Sequence, residues 1–434
     1  MSALLERVLE AAKPRAQGRV ARVVGLNLEV DGLQLPIGAS VRVEGEAGPV
    51  IAEVVAVHND GLVCMPLGEL RGVRAGDPAE SADGATSVPI GPALLGRVLD
   101  GLGRPIDGGP PLTTAPRVGV DHAAPHPLTR KMIREALPLG VRALDALVPC
   151  GRGQRMGIFA GSGVGKSTLL SMITRGTEAS VTVLALVGER GREVREFIEN
   201  DLGPEGLARS VVVVATSDEP ALVRLRAAFT ATRIAESFRD EGHDVLLLMD
   251  SLTRFAMAQR EVGLSAGEPP ATRGYPPSVF AMLPRLLERA GASEVGSITG
   301  LYTVLVEGDD MLDPIGDATR AILDGHIVLS RSLATAGHFP SIDVLESISR
   351  VGPAVTTTEQ RAAATEMRRL LAAYREAKDL IEIGAYVSGT NPLVDRAIRL
   401  REAMDGFLRQ DLHETTPATD AWAWLERLVG GPPG

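Results

Sequence analysis

The chain has 434 residues, of which 44% are hydrophobic and 3% aromatic, and its formal net charge is −10. This length is typical of two or three domains, and no run approaches the ~18 consecutive apolar residues that a membrane-spanning helix needs. The acidic balance and the few aromatic side chains count against a nucleic-acid-binding protein, because such proteins present basic surfaces and aromatic stacking platforms. The N-terminus lacks the apolar run of a signal peptide, so we expect a cytoplasmic protein.

Residues 1–17 are predicted to form a short amphipathic helix with a basic flank. Its apolar face consists of Leu4, Leu5, Val8, Leu9 and Ala12. Pro14 and Gly18 separate the helix from the rest of the chain, and so small a helix has no core of its own. We expect it to dock on a partner or on a membrane surface. Docking on its own chain and a frayed terminus are the alternatives.

Residues 18–90 are predicted to form a small β-barrel. Five alternating or β-branched runs are typical of strands: Arg19–Val24, Leu26–Val30, Ser40–Glu44, Ile51–Val57 and Leu62–Met65. Turn signals such as Asp31-Gly32 separate these runs, and short strands at this spacing favour closure into a barrel. Residues 99–128 are rich in proline and glycine and are predicted to be a long connection.

From about residue 130 to residue 350, strands are predicted to alternate with helices, which indicates a mainly parallel sheet covered by helices. The predicted strands are Gln154–Phe159, Val181–Val187, Ser210–Thr216, Asp244–Met249, Ser297–Val306 and His326–Ser330. The predicted helices between them include Lys166–Arg175 and Glu219–Asp240.

The chain is predicted to be helical from Thr356 onward. Thr356 and Glu359 have the spacing of a capping box, in which each side chain bonds the other residue's backbone N–H. A last helix holding Trp422 and Trp424 is expected after Thr419-Asp420.

A glycine-rich loop between an apolar strand and a helix has the pattern of a phosphate-binding loop, or P-loop. Its residues are Ala160, Gly161, Ser162, Gly163, Val164, Gly165, Lys166, Ser167 and Thr168. The glycines let backbone N–H groups turn inward around phosphates, and Lys166 is placed to reach the β- and γ-phosphates. The Ser167 hydroxyl is the expected Mg²⁺ ligand. Ala160 stands where the pattern has its first glycine, and a methyl group there is small enough to keep the loop.

An apolar strand ends in Asp250, and P-loop enzymes use an acid at such a position to hold the Mg²⁺ shell. Many strands end in aspartate, so it is the pairing with the loop that makes Asp250 a predicted metal-binding residue. The sequence therefore predicts an α/β fold class and a P-loop ATPase that uses ATP and Mg²⁺. The predicted domains are the docking helix 1–17, the β-barrel 18–90, the ATPase domain with its linker 91–355 and the helical domain 356–434.

Six longer motifs resemble the catalytic-subunit family of rotary ATPases, and within it the ATPase of flagellar type III protein export. They are Gly151–Ser167, Val187–Val194, Asp250–Arg260, Gly267–Pro270, Gly274–Ser278 and Ser347–Arg350. The resemblance covers roughly residues 18–410 and implies a RecA-like ATPase domain. Neither the first 17 residues nor the tail after Gln410 takes part in it.

The resemblance assigns Glu189 to polarising the attacking water and Arg190 to holding the γ-phosphate. An acid just past the end of a strand also faces the ligand crevice of an α/β sheet, although an exposed Glu-Arg pair is the alternative. Arg350 matches the arginine that reaches into the neighbouring subunit's site and stabilises the transferring phosphoryl group. Phe339 stands where the family has an adenine-stacking aromatic residue, with a simple core phenylalanine as the alternative.

The same resemblance implies partners. We expect a homo-oligomer in the form of a hexameric ring, together with a stator-like regulator, a central stalk protein, export substrates and their chaperones. Nucleic acid is not expected, and the enzyme would lie peripherally at the inner face of the membrane. The loop Asp309–Pro314 resembles the one that grips the central stalk, with an acidic solvated loop as the alternative.

Four kinds of function stay open at this point. The Phe159–Lys166 segment, the Gly267–Pro270 loop and the basic N-terminal helix favour an export ATPase over the catalytic subunit of an ATP synthase. Flagellar export and virulence secretion share nearly all of the motifs, and we favour flagellar export. The negative charge counts against a hexameric RNA helicase. Intact Lys166, Glu189 and Asp250 count against a non-enzymatic interaction protein.

Overall fold

The computed structural model describes residues 17–82, 87–306 and 313–430. They form a closed N-terminal β-barrel, a central sheet covered by helices and a C-terminal group of helices, which confirms the predicted fold class. Residues 1–16 of the predicted docking helix and residues 309–312 of the predicted stalk loop lie outside the described residues. Gln17, assigned to that helix, is instead the first residue of a strand.

The barrel has six strands: β1 (Gln17–Val24), β2 (Asn27–Asp31), β3 (Ser40–Gly45), β4 (Gly48–Val57), β5 (Leu62–Pro66) and β6 (Pro78–Ala82). They pair in the order β1-β2-β5-β4-β3-β6, and β6 returns to β1. Alternate side chains such as Val20, Val30 and Val43 are buried inside. Register shifts in β1 and β4 mark bulges, which bend a strand and help a small barrel to close. The sequence does not predict β6, because Pro-Ala-Glu-Ser-Ala has no β-branched residue.

The strands that follow are β7 (Ser87–Pro89), β8 (Val98–Asp100), β9 (Arg117–Gly119), β10 (Arg155–Ala160), β11 (Val181–Glu189), β12 (Ser210–Thr216), β13 (Asp244–Asp250), β14 (Gly291–Ala292), β15 (Ser297–Leu305), β16 (Gly325–Val328) and β17 (Ile348–Ser349). The central sheet has the order β17-β16-β10-β15-β13-β11-β12-β8, with β14 beside β15. Its neighbours are parallel except at β14 and β17. A mainly parallel sheet was predicted, but β8 begins one residue before the predicted connection, and its three residues are too few to show a pattern.

The helices are α1 (Arg142–Leu147), α2 (Lys166–Gly176), α3 (Gly191–Glu196), α4 (Gly203–Ala208), α5 (Ala221–Asp240), α6 (Leu252–Ser265), α7 (Pro277–Leu287), α8 (Pro314–Ile322), α9 (Arg331–Thr335), α10 (Gly352–Val355), α11 (Thr358–Glu382), α12 (Pro392–Leu408) and α13 (Ala418–Val429). A π-helix, Phe197–Leu202, joins α3 to α4, and short 3₁₀ turns occur at Pro92–Leu94, Pro127–Thr129 and Thr272–Gly274. None of the helices in the described ranges is long and apolar enough to cross a membrane.

Both faces of the central sheet are buried, because successive residues of each strand point to opposite sides. In β11, Val183 and Ala185 join a core with α5, α6 and α7. Leu184 and Leu186 join a second core with α2 and the three C-terminal helices. The C-terminal helices therefore pack on the same face of the sheet as the helix that follows the P-loop.

The capping box at the start of the C-terminal helices lies one residue later than predicted. The Thr357 side chain accepts a hydrogen bond from the Gln360 N–H, and the Gln360 side chain accepts one from the Thr357 N–H. The Thr356 hydroxyl instead donates to the carbonyl of Gly352, the first residue of α10. The last helix begins at Ala418, after Pro417, slightly earlier than predicted.

A buried ion cluster ties the connection before the sheet to the helices above it. Glu236, on α5, is fully buried, and both its carboxylate oxygens accept bonds from the Arg289 guanidinium at 2.7 and 2.9 Å. Arg289 also donates to the Val120 carbonyl, and His122 lies 3.1 Å from Glu236. The charged groups of the cluster compensate each other, so removing one of them would leave another buried without a counter-charge.

Replacing Glu236 with alanine is expected to destabilise the protein by about 3–5 kcal/mol, because the Arg289 guanidinium would stay buried without a counter-charge. The measurement is the urea midpoint of unfolding followed by circular dichroism. Glu199→Ala is the control, since it removes an exposed partner of Arg195 and should leave the midpoint unchanged. Equal midpoints for the two variants would contradict the prediction.

Candidate functional site

The P-loop runs from the end of β10 to the start of α2. Ala160 is buried and paired with Leu305 inside the sheet, and its side chain belongs to the core that α2 and the C-terminal helices share. Gly163 and Gly165 have φ angles of +74° and +92°, which side-chain-bearing residues rarely adopt. The Val164 side chain is buried in the core, whereas Ser162 and Ser167 of the loop are exposed to solvent. The loop thus has the predicted position and an open approach for a phosphate group.

Lys166, the first residue of α2, lies between two carboxylates. Its Nζ is 2.6 Å from Asp250 Oδ1 and 3.4 Å from Glu189 Oε1. Burial lowers the pKa of Lys166, but the attraction of Asp250 and Glu189 outweighs burial, so the net pKa lies above its ordinary value. The amine is therefore charged at neutral pH. The structure brings these three predicted residues together.

The two carboxylates meet Lys166 because of the strand order. Glu189 ends β11 and Asp250 ends β13, and these parallel strands are direct neighbours. Parallel strands carry their carboxyl ends to one edge of the sheet, where ligands bind. The Thr303 hydroxyl, on the next strand, donates to Asp250 Oδ1 at 2.6 Å and fixes that carboxylate.

Burial raises the pKa of Glu189, and the neighbouring Asp250 carboxylate raises it further. Lys166 and Arg254 oppose this effect, and the net pKa of Glu189 stays above its ordinary value. A carboxylate with a raised pKa accepts a proton more readily than an exposed glutamate does. The arrangement fits a group that polarises a water molecule.

Arg254 is a site residue to which sequence reasoning gave no role, although it stands in the Asp250–Arg260 motif. It lies in the first turn of α6, which Ser251 caps by accepting a hydrogen bond from the Arg254 N–H. A Cβ atom at Gly188 would lie 2.9 Å from the Arg254 Cβ, so this helix passes directly beside Glu189. Its place in the first turn of the helix that follows the strand ending in Asp250 was the available signal.

Arg190, the arginine predicted for the γ-phosphate, is directed elsewhere in this structure. Its side chain is 75% exposed, and its guanidinium lies 3.4 Å from Glu193 on α3. Arg254, rather than Arg190, is the arginine whose positive charge lowers the pKa of Glu189.

Phe339 lies beside the P-loop. A Cβ atom at Gly165 would approach its ring to 3.2 Å, and Phe339 itself is 41% exposed. The Ser341 hydroxyl, two residues on, donates to the Val164 carbonyl. A half-exposed aromatic ring at the mouth of the loop is placed to stack on a flat ligand group.

Arg350 is far from the Lys166 of its own chain. Its N–H donates to the Asp324 carbonyl, and the Asp324 carboxylate pairs with Arg155, the first residue of β10. The P-loop follows the last residue of this six-residue strand. At ~3.3 Å per residue, the two ends lie roughly 17 Å apart. Arg350 is exposed at the opposite end of the sheet, so one chain alone does not place it in the site.

A Mg²⁺ ion fits the oxygen donors of this site. Ser167 offers an exposed hydroxyl, and Asp250 offers a carboxylate within reach of the loop. Among the residues that the structure describes, no cluster of three or more histidine, cysteine, aspartate or glutamate side chains could hold a metal by itself. Such a partial set suits Mg²⁺, which is usually bound by one or two protein ligands with phosphate oxygens and water.

Family models match two parts of the chain. The nucleotide-binding domain of the ATP synthase alpha/beta family matches residues 140–349, which contain the P-loop, Glu189, Asp250 and Phe339 but end one residue before Arg350. The T3SS EscN ATPase C-terminal domain matches residues 356–427.

Curated relatives and solved structures extend the likeness to nearly the whole chain. The flagellum-specific ATP synthase of Bacillus subtilis is 52% identical, and the alignment covers 95% of each chain. The type 3 secretion system ATPase of Xanthomonas euvesicatoria is 51% identical, with 94% of each chain covered. The assembled ATPase EscN of enteropathogenic E. coli has a TM-score of 0.91 and 46% identity over 95% of this chain and 100% of that one. EscN bound to its central stalk EscO gives a TM-score of 0.88 at 45% identity, with the same coverage.

This nucleotide-binding domain and the relatives named ATPases make the chain an ATP-hydrolysing enzyme. Identity near one half over almost the full length of these relatives goes well beyond a shared fold. The chain belongs to the family of flagellum-specific ATP synthases and type 3 secretion system ATPases.

Proposed function

We propose that this chain is the ATPase of a flagellar type III protein export apparatus, which hydrolyses Mg·ATP to energise the release of substrates and chaperones for export. The observation that carries the proposal is the meeting of Lys166, Asp250 and Glu189 in one site, in a chain of this family. An inactive relative would not need a carboxylate beside the P-loop lysine, because burying such a carboxylate is unfavourable for folding.

The P-loop binds the phosphates of ATP through its inward backbone N–H groups and the N-terminal end of α2. Lys166 exchanges its carboxylate partners for β- and γ-phosphate oxygens. Ser167 and Asp250 hold Mg²⁺, which when bound neutralises charge on the phosphates. The Phe339 ring stacks on the adenine.

Glu189 polarises the water that attacks the γ-phosphate. Its raised pKa, from burial and Asp250, suits a proton acceptor, and Arg254 keeps that pKa from rising further. Arg190 lies next to Glu189 at the start of α3, and a change of side-chain rotamer would turn its exposed guanidinium toward the γ-phosphate.

Arg350 completes the site of a neighbouring copy of the chain. Its guanidinium is exposed at the far end of the sheet, where its own site cannot use it, and a subunit packed there would receive it. A closed ring of identical subunits gives every site one such arginine. We propose a ring of six, as the resemblance to rotary ATPases implies.

The proposed partners follow from the family. A central stalk protein is proposed by analogy with EscN, which has been solved with its stalk. A stator-like regulator is proposed to bind residues 1–17, whose basic flank suits an acidic partner or the inner face of the membrane. Export substrates and chaperones complete the set, and the proposed location is cytoplasmic, peripheral at that membrane face.

Secretion of virulence proteins is the second candidate function. The supporting observation is that a type 3 secretion system ATPase is 51% identical to this chain, almost as similar as the flagellum-specific relative at 52%. The catalytic subunit of an ATP synthase is the third candidate, but the match of residues 356–427 to the EscN C-terminal domain favours export.

Glu189→Gln is expected to keep ATP binding and to lower turnover by roughly 10²–10⁴-fold, because only the activation of water is removed. Lys166→Ala should lose turnover as well, since no other residue supplies a charge inside the loop. The measurements are phosphate release and calorimetric ATP binding. Glu196→Gln, at an exposed ion pair with Arg192 on the same helix α3, is the control and should behave as wild type. A wild-type rate for Glu189→Gln would show that its assigned role is wrong.

Arg350→Ala is expected to lower turnover by up to roughly 10³-fold while the isolated subunit binds ATP normally. Mixing Arg350→Ala chains with Glu189→Gln chains should restore part of the activity, because some interfaces then contain both intact residues. Mixing Lys166→Ala with Glu189→Gln is the control, since both changes damage the same half of the site. No recovery in the first mixture at any ratio would argue against a shared site.

Replacing the chromosomal copy with Glu189→Gln tests the biological role in the organism itself. We expect loss of external flagella, counted by electron microscopy, with Glu196→Gln cells as the control. Normal flagella together with lost secretion of effector proteins would instead assign the chain to virulence secretion.

A further inference from the structure

The segment Arg409–Glu414, here called the C-terminal anchor, follows α12 and lies against the nucleotide-binding domain. Gln410 is its most buried residue, with 5% of its surface exposed. Its Oε1 accepts a hydrogen bond from the Arg142 N–H at 2.9 Å. Its Nε2 donates to the Gly140 carbonyl at 2.7 Å and to the Glu414 carbonyl at 2.8 Å. The Gln410 amide thus uses both of its donor hydrogens on buried backbone carbonyls.

The backbone of Gln410 reaches the nucleotide site. Its N–H donates to the Phe339 carbonyl at 3.0 Å. The same loop is held two residues later, where the Ser341 hydroxyl donates to the Val164 carbonyl of the P-loop. The loop that carries Phe339 is therefore held by two hydrogen bonds, one to the P-loop and one to the C-terminal anchor.

The Gln410 side chain helps to position the N–H that donates to Phe339. Without it, the bonds to the Gly140 carbonyl and the Arg142 N–H are lost. The peptide group that donates to Phe339 then keeps the bond from the Arg142 guanidinium to the Arg409 carbonyl but loses the support of the side chain. Neighbouring residues support the anchor in other ways: Arg142 pairs with the Glu414 carboxylate, and Arg175, at the end of α2, donates to the Leu412 carbonyl at 2.9 Å. Neither of these bonds involves Phe339.

We propose that Gln410 is a positioning residue that sets the Phe339 ring against the nucleotide base. The inference rests on the proposed role of Phe339 in stacking on adenine. Because the bonds of Gln410 reach Phe339 but not Lys166, Glu189 or Asp250, its loss should weaken recognition of the base and leave phosphate binding and the chemical step alone.

The experiment compares calorimetric dissociation constants for ATP and for inorganic tripolyphosphate, which has no base, both with Mg²⁺ and the full-length chain. Gln410→Ala is expected to weaken ATP binding roughly three- to tenfold, the range of one aromatic contact, with tripolyphosphate binding unchanged. KM for ATP should rise while kcat stays at the wild-type value. Gln410→Asn, one methylene too short to reach both carbonyls, should act in the same direction and is the milder variant for folding.

Glu414→Gln is the matched control. It removes the ion pair with Arg142 inside the same anchor and keeps every hydrogen bond of Gln410. We expect it to lower the melting temperature and to leave the preference for ATP over tripolyphosphate unchanged. An equal loss of preference in Glu414→Gln and Gln410→Ala would overturn the proposal, because any loosening of the anchor would then suffice.

The Phe339→Ala background separates this proposal from the one beneath it. If Gln410 acts through Phe339, adding Gln410→Ala to Phe339→Ala causes no further loss of preference. A further loss, or equal weakening of ATP and tripolyphosphate by Gln410→Ala alone, would overturn the positioning role. Unchanged ATP affinity in Phe339→Ala would overturn the stacking role itself, and the Gln410 proposal with it.

Discussion

The ammonium group of Lys166 lies between the carboxylates of Asp250 and Glu189, and the other groups of the site are arranged around this contact. Two carboxylates held close together and partly buried repel each other. The positive charge of Lys166 offsets this repulsion, and the Thr303 hydroxyl holds the Asp250 carboxylate through a hydrogen bond. Arg254 lowers the pKa of Glu189. The single charge of Lys166 does not neutralise both carboxylates, so the binding of a triphosphate there requires further positive potential. The P-loop N–H groups, the N-terminus of α2 and a divalent cation are the sources available there.

The length of β10 has a consequence for the whole assembly. It puts the P-loop at one edge of the sheet and the Asp324–Arg350 region at the other. An arginine cannot bridge that distance within one chain, so the complete site that we propose exists only between chains. Assembly and catalysis then become one property of the ring, because subunits that separate also lose the arginine that acts on their neighbours.

The C-terminal helices are bound to the nucleotide-binding domain through a few polar contacts as well as through the shared core. Gln410, Arg142 and Arg175 link the C-terminal anchor to Gly140, to Phe339 and to the end of α2. Hydrogen bonds are directional, so they fix the register between the two parts more strictly than apolar packing does. A movement of the C-terminal helices would therefore act first on Phe339, through the bond from the Gln410 N–H to the Phe339 carbonyl.

Local patterns in the sequence determined much of this protein. The P-loop, the acidic strand end at Asp250, the barrel and the helical C-terminus all follow from periodicity, turn residues and residue order, which are properties of short segments. Sequence reasoning failed where a segment was too short or too polar to show a pattern, as at β6 and β8, and where a neighbouring threonine could serve as the cap equally well, as at Thr356 and Thr357.

Only the tertiary structure decided which side chains meet. The strand order brings Glu189 to Lys166, the approach of α6 to Gly188 places Arg254 at Glu189, and the path of the C-terminal anchor places Gln410 on Phe339. These contacts join residues far apart in the chain, and no local pattern encodes them. They result from the packing of whole elements, which depends on every strand and helix that lies between.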